Sequence, residues 1–551
     1  MTDICLLRAP PFPAGSISIS EPCATHAPSS DEILPLIREA RVGGEFWAEP
    51  VYLPEPPTAI LRPRDAGELE HLAGSLSEQE LAGALWCTPA HLIRATSQHT
   101  AKIGGRWRSG IDPWSVLEGA GCLIAHGDDE WIALAIIAGT PVRVLSPGRF
   151  GTPGDTSAAL VRLAEEAVAA SRYIDPFTGQ SASVTTTVAL LADWRRQIDA
   201  NRSIAAACGM AWWKRDEIRR FLWVPGRDLP IVSRTGRALA IARKAAGAVA
   251  IWPSRVSPNL IAAAQAQNTS LVRVEDGFVR SVGLGSNLVP PSSVVVDQRG
   301  IHFDPSTPSD LEHILATGAF PAPLLERAAR LRETIVKARI SKYSAGTTAQ
   351  PLDRQAGRRL VLVPAQVEDD MSVIAGGGGL QSNLEVLRRV RALEPDAEIW
   401  FRPHPDVDAG HRKGAVPDEV VLEVADRIMR GGDMAALLGV VDAVHVLTSL
   451  SGFEALLRGR DVTCHGTPFY AGWGLTRDLG PVPERRGRVL TLDQLVAGVL
   501  ILYPRYLDPV TGLPCPPEVL VSRMAEAHVP NRLGWVAPLR RWQGRVMAKW
   551  R

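Results

Sequence analysis

The clearest pattern begins near residue 236. Short β-branched runs there alternate with segments whose apolar residues recur at helical spacing. The runs fall at 248–252, 271–274, 294–296, 360–363, 398–401, 443–447 and 461–464. Helical patterns at 311–316, 324–338, 381–393 and 453–457 separate most of them, and Pro323 stands where a proline suits a helix start. Such alternation predicts an α/β fold with parallel sheets. The polar, weakly patterned stretch 340–358 reads as a linker between two Rossmann-like lobes. Upstream the signal is thinner. Residues 1–60 are rich in Pro, Ser and Ala and read as loop with one strand at most, and residues from 68 as helical and then α/β. Positions 121–126 and 141–145 read as short buried strands around a helix at 131–138.

An internal repeat refines this picture. Arg172-Tyr-Ile-Asp-Pro-Phe-Thr-Gly179 matches Arg505-Tyr-Leu-Asp-Pro-Val-Thr-Gly512 at six of eight positions. Upstream, Ala135-Ile-Ile-Ala-Gly139 stands to Ala455-Leu-Leu-Arg-Gly459 in the same relation, 320 residues apart. The chain therefore reads as a tandem of related modules whose first copy is short. Where the second copy has Glu454, the first has Leu134. The expected organisation is a degenerate, non-catalytic α/β module at 1–195, a helical linker at 196–235, and a first Rossmann-like lobe at 236–350. A second lobe follows at 351–500, then C-terminal helices with a basic aromatic tail at 501–551.

A length of 551 residues fits several domains, and a formal net charge of +1 excludes a globally basic nucleic-acid coat. No nucleic-acid partner is expected. The seven cysteines are scattered without a C-x-x-C pair, which argues against a disulfide scaffold or zinc ribbon and for a reducing compartment. No basic, then long apolar, leader follows Met1. The most apolar stretch, 239–252, is broken by Arg243 and Lys244, so a membrane-spanning chain is not expected.

Candidate chemistry collects at predicted strand ends, where ligands of α/β sheets bind. Glu275 and Asp276 follow the 271–274 strand and could serve as acid and base, although Glu-Asp-Gly also suits a solvated turn. Glu368, Asp369 and Asp370 follow the 360–363 strand and could equally cap the next helix; the glycines 376–379 beyond them fit a flexible loop as well as a phosphate cradle. No Gly-Lys-Ser/Thr follows, so this is not a Walker motif. Prolines 403 and 405 stiffen a turn that would present Arg402 and His404, with Lys413 nearby, to an anion. Thr448, Ser449 and Ser451 lie at a strand-to-helix turn able to hold a phosphate. Glu454, expected on the first helical turn, could bond a ribose hydroxyl or act as a capping partner. The aromatic, glycine-rich loop Cys464-His-Gly-Thr-Pro-Phe-Tyr-Ala-Gly-Trp-Gly474 could wall a sugar pocket or simply pack.

These segments resemble the KpsC-type capsule polysaccharide biosynthesis and export family, the bacterial β-Kdo glycosyltransferases. The resemblance runs through about 205–515. It is most specific in Arg273-Val-Glu-Asp-Gly-Phe-Val-Arg-Ser-Val-Gly-Leu-Gly285, Gln366-Val-Glu-Asp-Asp370, Arg402-Pro-His-Pro-Asp406, Ser451-Gly-Phe-Glu-Ala-Leu-Leu457 and Phe469-Tyr-Ala-Gly-Trp-Gly474. It implies a GT-B-like pair of Rossmann-like lobes preceded here by a degenerate, truncated copy of one lobe. It also implies CMP-Kdo as donor, β-linked Kdo as product, no metal and no cofactor. The acceptor would be a glycolipid at the cytoplasmic face of the inner membrane, where capsule assembly machinery works. By the same resemblance Asp370, or else Asp369, is the catalytic carboxylate; if the reaction is retaining, it would attack the anomeric carbon. Glu275 and Asp276 lie near the reacting sugar, and Gln366, Arg402, His404, Pro405, Lys413, Thr448, Ser449, Ser451 and Glu454 on the donor side. The first copy has no Glu-Asp-Gly and no His-Pro, so one active site is expected. The competing readings keep the fold with another CMP- or UDP-sugar, or make the protein a non-catalytic export scaffold.

The tail from 531 carries Arg532, Arg540, Arg541, Arg545, Lys549 and Arg551 and no acid. Trp535, Leu539, Trp542, Val546 and Trp550 fall near helical spacing, which suits either an anionic lipid surface or packing against the protein. The stretch 212–223, similarly aromatic and basic, reads as a helix between modules.

Overall fold

The computed structural model describes residues 5–15, 17–23, 32–280, 289–341, 353–410 and 412–526. Most of the expected linker, motif positions 281–285, His411 and the basic tail lie outside the described residues. The chain divides into two compact units, Met1–Arg202 with Trp223–Arg227, and Ser203–Leu222 with Asp228–Arg551.

The first unit contains β1 (Ser20–Pro22), β2 (Ile60–Leu61), β3 (Leu85–Cys87), β4 (Arg106–Arg108), β5 (Leu123–Ala125), β6 (Val142–Val144), β7 (Ser171–Ile174) and β8 (Ser181–Ala182). Among the described residues, β2 to β6 form a parallel sheet of order β4-β3-β2-β5-β6, and β1, β7 and β8 a small antiparallel one. The central strands are apolar throughout because a parallel sheet is covered on both faces; Leu61, Trp86 and Ile124 pack with Leu69 and Leu72 from the helix Gly67–Gly74. The helix Trp131–Ala138 is apolar all round and almost wholly buried, as the sequence predicts.

The second unit begins with β9 (Ile204–Cys208), β10 (Ile231–Val232), β11 (Ala248–Ile251), β12 (Leu271–Asp276) and β13 (Ser293–Asp297). Next come β14 (Leu360–Pro364), β15 (Glu398–Arg402), β16 (Arg427–Ile428), β17 (Ala443–Val446), β18 (Asp461–Cys464) and β19 (Arg477–Asp478). These last six form one lobe, a parallel sheet of order β16-β15-β14-β17-β18-β19. The other lobe has the order β10-β9-β11-β12-β13-β20-β21, where β20 (Pro504–Leu507) and β21 (Pro514–Cys515) return from the far end of the chain. This is the expected α/β, GT-B-like pair of Rossmann-like lobes.

Three expectations change. The 196–235 segment holds β9 and β10, so it belongs to the first lobe's sheet rather than to a helical linker. The last three strands of that sheet run antiparallel to their neighbours, not parallel. The 501–551 region opens with two strands, because β13 would otherwise present an open edge and β20 covers it.

The repeat seen in the sequence is a repeated corner. Tyr173 donates its hydroxyl to Val168 O (2.8 Å), and Tyr506 does the same to Leu500 O (2.7 Å). Asp175 accepts from Phe177 N and Thr178 Oγ1, and Asp508 from Val510 N and Thr511 Oγ1. Gly179 and Gly512 close the two turns at a φ of 72°, a left-handed conformation that favours glycine. The first unit's sheet also has the strand order of the second lobe without its last strand. The first unit is therefore built as a shortened copy of that lobe.

A buried histidine pair lies where β17 meets the end of β18. His445 Nδ1 is 3.1 Å from His465 Nε2. Burial, aided by His465 and nearby arginines, pushes His445 down to about 3, and burial with nearby arginines pushes His465 down to about 4. Both rings stay neutral in the fold but protonate in the unfolded chain below about pH 6.5. Their contribution is complete above that pH and is lost as pH falls toward 4. At pH 4.5 His445 alone should weaken the fold by roughly 2–3 kcal/mol. Melting curves between pH 7 and 4.5 should show a steeper acid decline for the wild type than for His445→Leu; parallel declines would remove the pair as the cause.

Candidate functional site

Strand order in the second lobe reverses between β14 and β17, and the crevice beyond their carboxyl ends is where a ligand of such a sheet binds. Gln366 stands at that point. Its Oε1 accepts from Thr448 N (2.8 Å) and its Nε2 donates to Thr448 Oγ1 (3.0 Å), stitching the two strand ends together. Asn383 accepts from Gln366 N and donates to the carbonyls of Gln366 and Gly414. The 412–414 segment is further held by Glu368 N on Lys413 O and by the Asp369–Arg412 ion pair (3.1 Å). Two predicted motifs, 366–370 and 402–413, thus share one rim.

Asp370 takes the capping alternative that the sequence left open. It is the N-cap of the helix Met371–Gly376, with Oδ1 accepting from Ser372 N (3.0 Å) and Ser372 Oγ (2.7 Å). Both bonds fall on one oxygen of a partly exposed carboxylate. Asp369 is 48% exposed and ion-paired.

His404 caps the short helix Pro405–Asp408, its Nδ1 accepting from Asp406 N (3.2 Å). That bond places the hydrogen of the neutral ring on Nε2, a donor suited to an anion. Arg402 differs from expectation. Its guanidinium turns back onto Gly431 O (2.7 Å) and Gly432 O (2.9 Å), because a buried guanidinium needs acceptors and these carbonyls supply them. It anchors the 431–432 loop instead of facing the turn. Lys413 is exposed.

Ser449 caps the helix Leu450–Leu456 and accepts from Ser451 N (3.2 Å); Tyr470, fully buried, donates its hydroxyl to Ser449 O. A Cβ on Gly452 would overlap that hydroxyl, so Ser-Gly-Phe needs glycine for the close approach. Glu454 lies on the second helical turn rather than the first, and is 7% exposed. Gln381 and the glycines 377–379 border a cavity of about 670 Å³ with Ser382, Arg389 and His465. It adjoins the strand-end crevice at Gly376, whose carbonyl accepts Thr467 N.

An aromatic junction joins this rim to the other lobe. Phe278 lies 4.6 Å from Phe469 and 4.9 Å from His302, and Phe453 is 5.7 Å from Phe469. The Glu-Asp-Gly-Phe, Ser-Gly-Phe-Glu and Phe-Tyr-Ala-Gly-Trp-Gly motifs therefore meet at one place. The last packs inward as well, since Trp473 is buried and bonds Phe469 O. Glu275 and Asp276 end β12, at the base of this junction. Glu275 Oε1 accepts from Asp276 N (3.0 Å), and Asp276 pairs with Lys214 (2.9 Å) and Arg280 (2.8 Å). Lys214 and His302 were missed by sequence reasoning. Lys214 sits in an aromatic-basic stretch that reads as a connecting helix. Among the described residues no three His, Cys, Asp or Glu side chains converge as a metal site, and no helix is long and apolar enough to cross a membrane.

The first unit's equivalent turn has lost this chemistry. At the repeat spacing Asp128, Asp129 and Glu130 replace Thr448, Ser449 and Leu450. Arg64, Arg62 and Arg8 pair with these acids in turn. Phe150 N bonds Gly127 O (2.6 Å), folding the following loop onto the strand end. The first unit's turn thus carries three ion-paired acids where the second unit's turn carries hydroxyls and a helix N-terminus.

Comparison with known proteins agrees with this division. The family described as "Capsule polysaccharide biosynthesis protein" matches residues 247–506. The capsule polysaccharide modification protein LipA of Neisseria meningitidis serogroup A is 42% identical over 344 residues, 62% of this chain and 48% of LipA. The lipopolysaccharide-processing protein LpsZ of Rhizobium meliloti is 47% identical over 240 residues, 43% of this chain and 54% of LpsZ. The chain thus spans about half the length of the curated relatives it matches. Among solved structures, the β-Kdo 2,4 transferase of Thermosulfurimonas dismutans KpsC is 31% identical with a TM-score of 0.51, covering 58% of this chain and 98% of that one.

Proposed function

We propose that this chain, which belongs to the KpsC-type capsule polysaccharide biosynthesis family, is a glycosyltransferase that moves Kdo from CMP-Kdo to a lipid-linked acceptor, forming a β-Kdo linkage. The observation that carries this reading is the meeting of five chemically distinct motifs around the strand ends of two facing Rossmann-like lobes. A single active site in the second unit is favoured by the acids that occupy the equivalent turn in the first.

The mechanism follows from the groups present. The phosphate of CMP-Kdo lies against Thr448, Ser451 and the Nε2–H of His404, which stabilise the charge that collects on departing CMP. Asp370 attacks the anomeric carbon as the bond to the CMP phosphate breaks, giving a glycosyl-enzyme ester. Glu275 then takes the proton of an acceptor hydroxyl, whose oxygen displaces Asp370, so configuration is retained overall. Gln366 keeps the 366–370 loop and the 448 turn in register, and Glu454 offers a carboxylate to the ribose. The chemistry asks for no metal. The acceptor would be met at the cytoplasmic face of the inner membrane.

Purified full-length protein should release CMP from CMP-Kdo, and release nucleotide at least tenfold more slowly from other CMP- and UDP-sugars. A lipid-linked acceptor should gain β-linked Kdo by mass and linkage analysis. Preference for another nucleotide sugar would replace the donor. No turnover together with no nucleotide binding by calorimetry would favour the scaffold reading.

A further inference from the structure

Strand order in the first lobe reverses between β9 and β11, so this sheet too has a crevice at its carboxyl edge. Lys214 occupies it. It ends the short turn Trp212–Lys214 after β9, and its side chain lies over the Trp252 ring that follows β11, 3.5 Å from the ring centre. Its Nζ is 2.9 Å from Asp276 Oδ1 at the end of β12. The other Asp276 oxygen lies 2.8 Å from Arg280 Nε, and Arg280 Nη2 donates to Val289 O. Three adjacent strands thus deliver a cation, an aromatic face and a carboxylate to one point.

The burial is informative. Lys214 is 6% exposed and Arg280 1%. Buried cations are retained where a partner and a geometry demand them. The chain has 60 basic residues, of which seven are lysine. It uses one of those seven here, where a compact ammonium fits under an indole and a forked guanidinium would need further acceptors. The charged groups facing Lys214 are Asp276 and Glu275 from β12 and Arg280 just beyond it. Burial pulls the ammonium below its ordinary value, and the two carboxylates oppose that pull.

We infer that Lys214 is a positioning residue of the active site: with Arg280 it holds both Asp276 oxygens as an ionised carboxylate, fixes the 275–277 turn, and so leaves proton transfer to Glu275. This rests on the transferase reading for its consequence, though not for the pairing itself. A carboxylate gripped by two cations is a poor proton donor at neutral pH, whereas its neighbour on the same turn is set in place by it. Asp276 then acts through Glu275, and Lys214 through Asp276.

Lys214→Met should lower kcat at least tenfold with the donor KM changed less than twofold. It should also move the acidic limb of the kcat–pH profile upward by about one unit, because Asp276 loses a countercharge. Lys214→Arg should restore part of kcat and return the limb. A merely packing role would lower thermal stability without moving that limb, and an unmoved limb in an active Lys214→Met protein overturns the inference. Melting temperatures of Lys214→Met, Asp276→Asn and the double variant provide a readout without activity. Coupling predicts that the double variant melts no lower than Lys214→Met, and additive losses overturn the pairing. If the wild type turns over no nucleotide sugar, the transferase reading fails while the melting cycle still decides the pair. Should Lys214→Met not fold, Lys214→Arg and Asp276→Asn carry both measurements.

Discussion

Asp370→Asn should lose sugar transfer by roughly six orders of magnitude, the scale seen when a nucleophile is removed, while its melting temperature stays within about 2 °C of wild type. The isosteric change separates the cap that the structure shows from the nucleophile proposed above. As an N-cap, Asp370 uses one oxygen to accept from Ser372 N and Oγ. Asparagine caps helices about as well as aspartate, so its side-chain oxygen keeps those bonds. As a nucleophile, Asp370 needs a negative charge that asparagine lacks. Asp370→Ala should lose activity equally, and also about 1 kcal/mol of stability with the cap. Asp369 pairs with Arg412 at the surface, and Asp369→Asn should change the rate less than about threefold, as suits a surface pair of small energy. Kinetics and melting of the three variants decide the matter. If Asp370→Asn retains full activity, the residue is a cap alone; if the Asp369 variant is the inactive one, the role passes to it.

Glu312→Gln should destabilise the second unit by about 3–5 kcal/mol, because it leaves the buried Arg486 without its countercharge. Glu312 is buried on the helix Asp310–Thr317 and receives both Arg485 and Arg486, the latter at 2.6 Å. Arg486 in turn donates to Pro468 O (2.7 Å) and Ala471 O (3.1 Å), so the pair fixes the aromatic loop from beneath. Burial lowers the affinity of the Arg486 guanidinium for its proton, and Glu312 is the main force opposing this. A glutamine can accept one bond but returns no charge. Chemical denaturation should show the loss, with a melting temperature lower by roughly 10 °C. A change below about 1 kcal/mol, the range of exposed pairs, would mean that water reaches Arg486.

Much of this architecture could be read from periodicity. All seven runs predicted after residue 236 are strands, because each is short and mostly apolar, with a β-branched residue in it. The repeat was legible because its corner bonds specific side chains to the backbone, and such bonds tolerate little substitution. Other features left no local trace. β9 is alanine-rich and β10 two residues long, so neither carries a strand pattern. β20 joins β13 across some two hundred residues of chain, a pairing that no window reveals. The strand-end rule located the candidate motifs, but not the direction of their side chains. Arg402 turns inward and Lys214 enters the site, since burial of a cation is settled by acceptors brought from elsewhere in the fold.

The return of β20 to the first lobe also bears on motion. The polypeptide passes between the lobes twice, once after residue 341 and again before Pro504. Two bodies tied by two crossings cannot swing freely about a single pivot; they can rock about the line joining the ties. Opening of the crevice between them should follow that one axis, so that whatever binds there enters and leaves by the same mouth.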